Sequence, residues 1–192
     1  MPASRPQELR YILPTFLKTA KKLQLRYPSL IVYIPSCRRV FDEKFRKGLE
    51  KYEIKGKVIS QQDESELKPY IYSLTKLALC KSGTVNMELA LYGIPQIVGY
   101  RVSRVTAFIA KNILKFKVRF ISPVNLLMKK FIIPEFVQKN FNEKKIFYKA
   151  CRLLDMSSEK AKIKKGYTLL KKELGEEEVV DRTAKEIINS IV

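Results

Sequence analysis

Residues 77–101, LALCKSGTVNMELALYGIPQIVGYR, leave few folds open to this chain, because they read as strand, tight turn, helix and second strand in immediate succession. Residues 77–80 are an apolar run of strand length, broken by Gly83, which has no Cβ, between Ser82 and Thr84, two residue types that cap helices. Met87, Leu89, Ala90 and Leu91 form an apolar helical stripe. It ends at Gly93 and Pro95, the first suited to a left-handed cap and the second unable to continue a helix. Residues 96–100 are the next strand. A small-residue turn ahead of a helix aims backbone N–H groups and the positive end of the helix dipole at one spot, which suits a phosphate. Glu88 lies one turn into that helix, where a carboxylate accepts hydrogen bonds from a sugar diol. A capping carboxylate is the plainer reading, but no Ser or Thr stands three residues ahead of Glu88, so a capping box does not fit. Because such turns are common in α/β domains, the motif by itself leaves phosphate binding and simple chain reversal both open.

The same alternation extends along the chain. Residues 30–34, 57–60 and 118–121 are predicted strands, 40–52 a helix, and 64–74 a short helix interrupted by Pro69. Ahead of them, Pro6 is an early helical residue, and Leu9, Ile12, Leu13, Phe16, Leu17, Ala20 and Leu23 recur at helical spacing, with a kink expected at Pro14. A second phosphate-type turn is expected at Ala3 to Arg5, with Arg5 able to reach an anionic oxygen; a capped surface helix explains the same residues. Strands alternating with helices imply right-handed crossovers and a parallel sheet whose ligands gather at the carboxyl ends of the strands, where both turns would lie.

In residues 104–117, Val105, Phe108, Ile109, Asn112, Ile113 and Phe116 share one face and Lys111 and Lys115 the other, a basic amphipathic helix that either packs on the sheet or lies on a bilayer. Asn125 follows a strand end and Glu135 falls in the first turn of a helix expected from Pro134, so both are candidates for one cleft; a turn and the helix dipole are their plainer roles. The expected organisation is a domain over residues 1–141 and a charged helical segment over 142–192 that covers the sheet or reaches across to another domain.

Composition narrows the chemistry. Three separated cysteines and no histidine among 192 residues argue against a disulfide framework, a zinc site or a histidine-dependent triad. The formal charge of +19 fits nucleic acid, an anionic membrane surface, a polyanionic substrate or simply solvated faces. No apolar run approaches the roughly 20 residues of a membrane span, so any membrane contact would be peripheral. A nucleic-acid module would need its basic residues on one face with aromatics interleaved; here they are dispersed, which makes nucleic acid an unlikely partner.

The residues Pro2-Ala-Ser-Arg5 with Glu8, Lys81-Ser-Gly-Thr84 with Glu88, Gly99-Tyr-Arg101, Ser122-Pro-Val-Asn125 and Pro134-Glu-Phe-Val-Gln138, in this order, resemble lipid-A-disaccharide synthase of the cyanobacterial and plant type. The resemblance runs from Pro2 to about Asp181. It implies the Rossmann-like, UDP-binding C-terminal domain of a GT-B-fold glycosyltransferase, with C-terminal helices. It also implies hexosyl transfer of 2,3-diacylglucosamine from UDP to 2,3-diacylglucosamine 1-phosphate, with neither metal nor cofactor. By matching position, Ser82, Gly83 and Thr84 would hold the diphosphate and Glu88 the ribose. Asn125, Glu135 and Gln138 would line the donor side of the cleft, and Arg5 would pair with the diphosphate as UDP leaves.

The resemblance covers only the donor-binding half. The acceptor domain and the general base are expected in a preceding half, and a first strand ahead of Pro2 is missing from the sheet. The partners so implied are the UDP-sugar donor, the lipid acceptor, a separate N-terminal half or a homodimer, and a peripheral anionic membrane. The implied location is the cytoplasmic side of a bacterial inner membrane, or a mitochondrion or plastid in a plant or alga. A basic nucleic-acid-binding module and an inactive remnant of the transferase are the competing readings.

Overall fold

The computed structural model of the chain describes residues 6–103, 106, 119–175 and 188–189. Helix α1 spans Pro6–Arg26. Strand β1 (Val32–Pro35) follows, then a 3-10 turn at Arg39–Phe41 and α2 (Asp42–Lys51). Next come β2 (Gly56–Ile59), α3 (Gln61–Leu74) and β3 (Ala78–Lys81). Then α4 (Val85–Leu91), β4 (Gln96–Tyr100), α5 (Pro123–Met128) and β5 (Glu135–Val137) complete the strands. Helices α6 (Glu143–Asp155) and α7 (Ser157–Leu174) close the described chain. All strand pairs are parallel, in two groups, β1–β2 and β3–β4–β5. This is the Rossmann-like α/β class that the alternating pattern implies.

Helix α1 is the element that joins the two groups, and its sequence shows how. Ile12, Phe16 and Leu23 enter the larger core under β3 and β4, with Leu89, Ile97, Val98 and Ile146. Leu9, Leu13, Leu17 and Ala20 enter a second core with Ile34, Phe45, Leu49 and Val58. One apolar helix thus roofs both groups with nine of its residues buried, and Pro14 lies inside it without ending it. Pro69 likewise lies inside an unbroken α3.

Other expectations change at the end of the sheet. Residues 119–121 are not a strand, and no helix starts at Pro134. Glu135 instead opens β5, which pairs with β4 through Val98↔Glu135 and Tyr100↔Val137. The physical reason is Asn125: its Oδ1 accepts from the Ile132 and Ile133 N–H at 2.8 and 3.0 Å, and its Nδ2 donates to the Ile133 carbonyl at 2.8 Å. These bonds turn the chain out of α5 and lay the next residues along β4. The predicted helix at 104–117 and most of the segment beyond 175 lie outside the described residues. Within α6 and α7, Ile146, Leu153, Ile163 and Leu170 are buried in the larger core, while Leu169, expected on that face, is 43% exposed.

Candidate functional site

In a parallel sheet every strand delivers its following residue to the same rim. Ser82, Gly83 and Thr84 follow β3, Arg101 follows β4, and Gln138 follows β5. The start of α1 is on this rim as well, because Lys81 at the end of β3 donates to both carboxylate oxygens of Glu8 at 3.0 and 2.8 Å. Arg5 itself lies outside the described residues.

The turn is built differently from the expectation. Thr84, at the N-cap, is in the right-handed region and its hydroxyl makes no cap bond. Ser82 does not cap either; its hydroxyl donates to the Ile121 carbonyl. The capping side chain is Asn86, which accepts the Gly83 N–H at 2.9 Å and donates to the Lys81 carbonyl at 3.1 Å. Gly83 does not use a left-handed conformation. What it provides is open surface, since a Cβ there would meet only Lys81 Cε, at 3.8 Å. At the other end of α4 Gly93 does take a positive φ, 70, where the Gly93 and Ile94 N–H groups close α4 on the Ala90 and Leu89 carbonyls.

Beneath the turn lies a buried polar network that sequence reasoning missed. Asn86 Nδ2 donates to Gln96 Oε1 at 3.0 Å, and Gln96 Nε2 donates to the Asn86 carbonyl at 2.9 Å and to the Tyr167 hydroxyl at 3.0 Å. Tyr167 in turn donates to the Ile94 carbonyl at 3.0 Å. Asn86 and Gln96 are fully buried, and burial pushes the Tyr167 hydroxyl well above the usual tyrosine range, which keeps it a donor. Burial also pushes the Cys80 thiol up to about 11, so at neutral pH it is an uncharged donor toward Gln96 and no nucleophile. The usable signal was a glutamine opening an otherwise apolar strand, a residue type rarely buried without partners.

Ser82, Asn125 and Glu135 are brought together. The Glu135 carboxylate accepts from the Ile121 and Ser122 N–H groups, both at 2.9 Å, from the Ser122 hydroxyl at 2.6 Å and from Asn125 Nδ2 at 2.8 Å. Ser82 joins this network through Ile121. Asn125 is fully buried with its amide groups engaged, so its place is to shape the loop behind the rim. Gln138 adopts a positive φ of 50, and its carbonyl and that of Phe141 accept from the Arg101 guanidinium at 3.1 and 2.6 Å. Glu88 stands apart from this group, ion-paired with Lys68 of α3 and about one third exposed. Among the described residues, the Thr84 and Val85 N–H groups at the start of α4 have no acceptor, and Thr84 is exposed. The rim therefore offers unpaired donors beside an open glycine, with a carboxylate one helical turn away. No group of acidic, cysteine or histidine side chains among the described residues is arranged to hold a metal ion.

Comparison with known proteins supplies the family. The family model for Lipid-A-disaccharide synthetase matches residues 1–192. The chain is 46% identical over 189 residues to the lipid-A-disaccharide synthase of Prochlorococcus marinus (strain MIT 9313), covering 98% of this chain and 48% of that protein. It is 36% identical over 191 residues to the enzyme of the same name from Gloeothece citriformis (strain PCC 7424), covering 100% of this chain and 48% of that protein. With the one from Synechocystis sp. (strain ATCC 27184 / PCC 6803 / Kazusa) the identity is 33% over 188 residues, covering 98% and 47%. The chain spans about half the length of these curated relatives. By its match along the whole sequence, the chain belongs to the lipid-A-disaccharide synthetase family.

Proposed function

We propose that this chain is the donor-binding half of a lipid-A-disaccharide synthase. The observation that carries the reading is the half-exposed turn at Ser82–Thr84, where unpaired N–H groups, an open Gly83 surface and the nearby Glu88 share the carboxyl rim of the sheet. The pyrophosphate of UDP-2,3-diacylglucosamine lies against the open Gly83 surface, where the Thr84 and Val85 N–H groups and the helix dipole favour its charge. Glu88, held by Lys68, accepts from the ribose hydroxyls. Ser82, Asn125 and Glu135 fix the loop that backs the sugar, Gln138 borders it, and Arg5 neutralises the diphosphate as it departs.

In the reaction the hydroxyl of 2,3-diacylglucosamine 1-phosphate attacks the anomeric carbon of the donor, the bond to UDP breaks, and the disaccharide forms. The hydroxyl proton passes to a general base outside this chain, in the acceptor-binding half supplied by a preceding segment, a separate polypeptide or a second copy. The donor half alone binds UDP without turning over.

Contact with the lipid phase is peripheral. No helix among the described residues is long and apolar enough to cross a membrane. Leu126, Leu127 and Phe131, 50, 50 and 65% exposed, stand beside Lys129 and Lys130, an apolar and basic surface suited to an anionic leaflet.

Calorimetric titration with UDP, comparing the unmodified chain with Glu88→Ala, tests the reading. Saturable binding that weakens at least tenfold in the variant is expected. Equal heats in the two chains would remove Glu88 from the ribose, and no heat in either would remove the nucleotide site.

A further inference from the structure

Lys81 is the last residue of β3 and stands directly before the turn at Ser82–Thr84. We propose that its ammonium group, steadied by Glu8, is a further ligand of the nucleotide diphosphate, a role that rests on the donor-binding reading above. Side chains alternate across a strand, so Lys81 leaves β3 on the face opposite the buried Cys80 and reaches the first turn of α1. There its Nζ donates to both Glu8 carboxylate oxygens at 3.0 and 2.8 Å, and the two side chains are only 18 and 11% exposed.

Three observations point to an anion beside this pair. The first is reach. A Cβ placed on Gly83 would meet a single neighbour, Lys81 Cε at 3.8 Å, so the lysine stem borders the open glycine surface and its ammonium is one bond further on. Rotation of the lysine's end brings Nζ to a phosphate seated there. The second is the count of donors. An ammonium carries three N–H groups and two are directed at Glu8, which leaves one for an outside acceptor. The third is the environment of the pair. Taking two charges largely out of water costs about as much as their attraction returns, so an apolar pair of similar size would hold α1 to β3 equally well. An anion that meets the ammonium accounts for a cation in this place. Two other cations of the region are engaged elsewhere, Lys68 with Glu88 and Arg101 with the Gln138 and Phe141 carbonyls.

The chemistry fits a diphosphate better than a nucleoside. It carries more charge than the single Glu8 carboxylate, so the ammonium is shared between Glu8 and the nearer phosphate. When the bond to the sugar breaks, its electron pair stays on the phosphate oxygen, and an ammonium already fixed beside that oxygen stabilises the growing charge.

Calorimetric titrations with uridine, UMP and UDP test the assignment in the intact chain and in Lys81→Met, Lys81→Arg and Glu8→Gln. The unmodified chain is expected to bind UDP more tightly than UMP, and UMP more tightly than uridine. Lys81→Met should weaken UDP at least tenfold, and Lys81→Arg, which keeps a cation, should stay within threefold. Glu8→Gln breaks the same ion pair but leaves the ammonium, so UDP affinity should change less than threefold. A pair with a structural role alone would give equal losses in Lys81→Met and Glu8→Gln. In the unmodified chain, 15N spectra of the lysine ammonium groups should show Lys81 shifting with UDP and not with uridine, a readout that requires no variant to fold. UDP binding with a silent Lys81 ammonium, or with those equal losses, would overturn the role of Lys81 and leave the nucleotide site standing. No heat with UDP in the unmodified chain would remove the site and this inference together.

Discussion

Both strand groups pack on apolar cores, and they differ in the directed bonds added to them. The β3–β4–β5 group adds a buried polar network: Asn86, Gln96, Ser122 and Asn125 are buried, and each is tied to backbone or to another side chain. The second core, which holds β1 and β2, consists of ten buried apolar residues and has an open flank. Hydrogen-bonded networks specify one geometry, because leaving any member unpaired in a low-dielectric interior costs more than the bond gains in water. Apolar packing depends on area and volume and tolerates readjustment. A site for a nucleotide needs the first kind of support.

Substitutions that strike one group at a time sharpen this contrast. The largest effect is expected for Asn125→Ala, which strips several partners from buried groups at once. A loss of about 3 kcal/mol in urea unfolding is predicted, together with loss of UDP binding. Gly56→Ala strikes the other group, since its Cβ would stand 2.4 Å from the Val32 carbonyl oxygen. It should cost about 2 kcal/mol and speed amide exchange in β1 and β2, while UDP affinity changes less than twofold. An equal loss of UDP affinity in both variants would show that the groups act as one unit and would break the comparison.

Gln96→Leu keeps the volume and removes the polar centre of the network. It should cost about 2 kcal/mol by removing one partner each from the Asn86 amide, the Asn86 carbonyl and the Tyr167 hydroxyl, with a matching fall in UDP affinity. The smallest effect is one of pH. The hydrogen bond from Lys149, followed by the charges of Lys149, Arg152 and Lys162, holds the Glu159 carboxyl below its ordinary value of 4.5. A depressed folded value means that this link between α6 and α7 is complete above that pH and is lost as the pH falls below it. Glu159→Gln should therefore flatten the acid limb of the stability curve, measured by thermal melting from pH 3 to 7, and leave UDP binding unchanged at pH 7.

Much of this was legible in the sequence because it rests on period and punctuation. Leu9 to Leu23 fixed the long helix, and Gly93 with Pro95 fixed the end of α4. The turn before α4 was also legible as a place. Its construction was not, because Asn86 caps it from within the helix while Ser82 and Thr84, the expected cap residues, do other things. The end of the sheet was misjudged for a related reason. β5 is only three half-buried residues long, and what sets it beside β4 is Asn125, a side chain ten positions earlier in the sequence than Glu135. Local propensity carries no record of a bond that spans a loop.

The central claim is that the carboxyl rim of β3–β4–β5, at Gly83 and Thr84, holds the pyrophosphate. Its most direct measurement is a titration of the 15N-labelled chain with UDP, followed amide by amide. The account predicts saturable shifts at Gly83, Thr84 and Val85, with Tyr33 and Lys57 unmoved. Shifts centred on β1 and β2, or a rim that stays silent at saturating UDP, would contradict it.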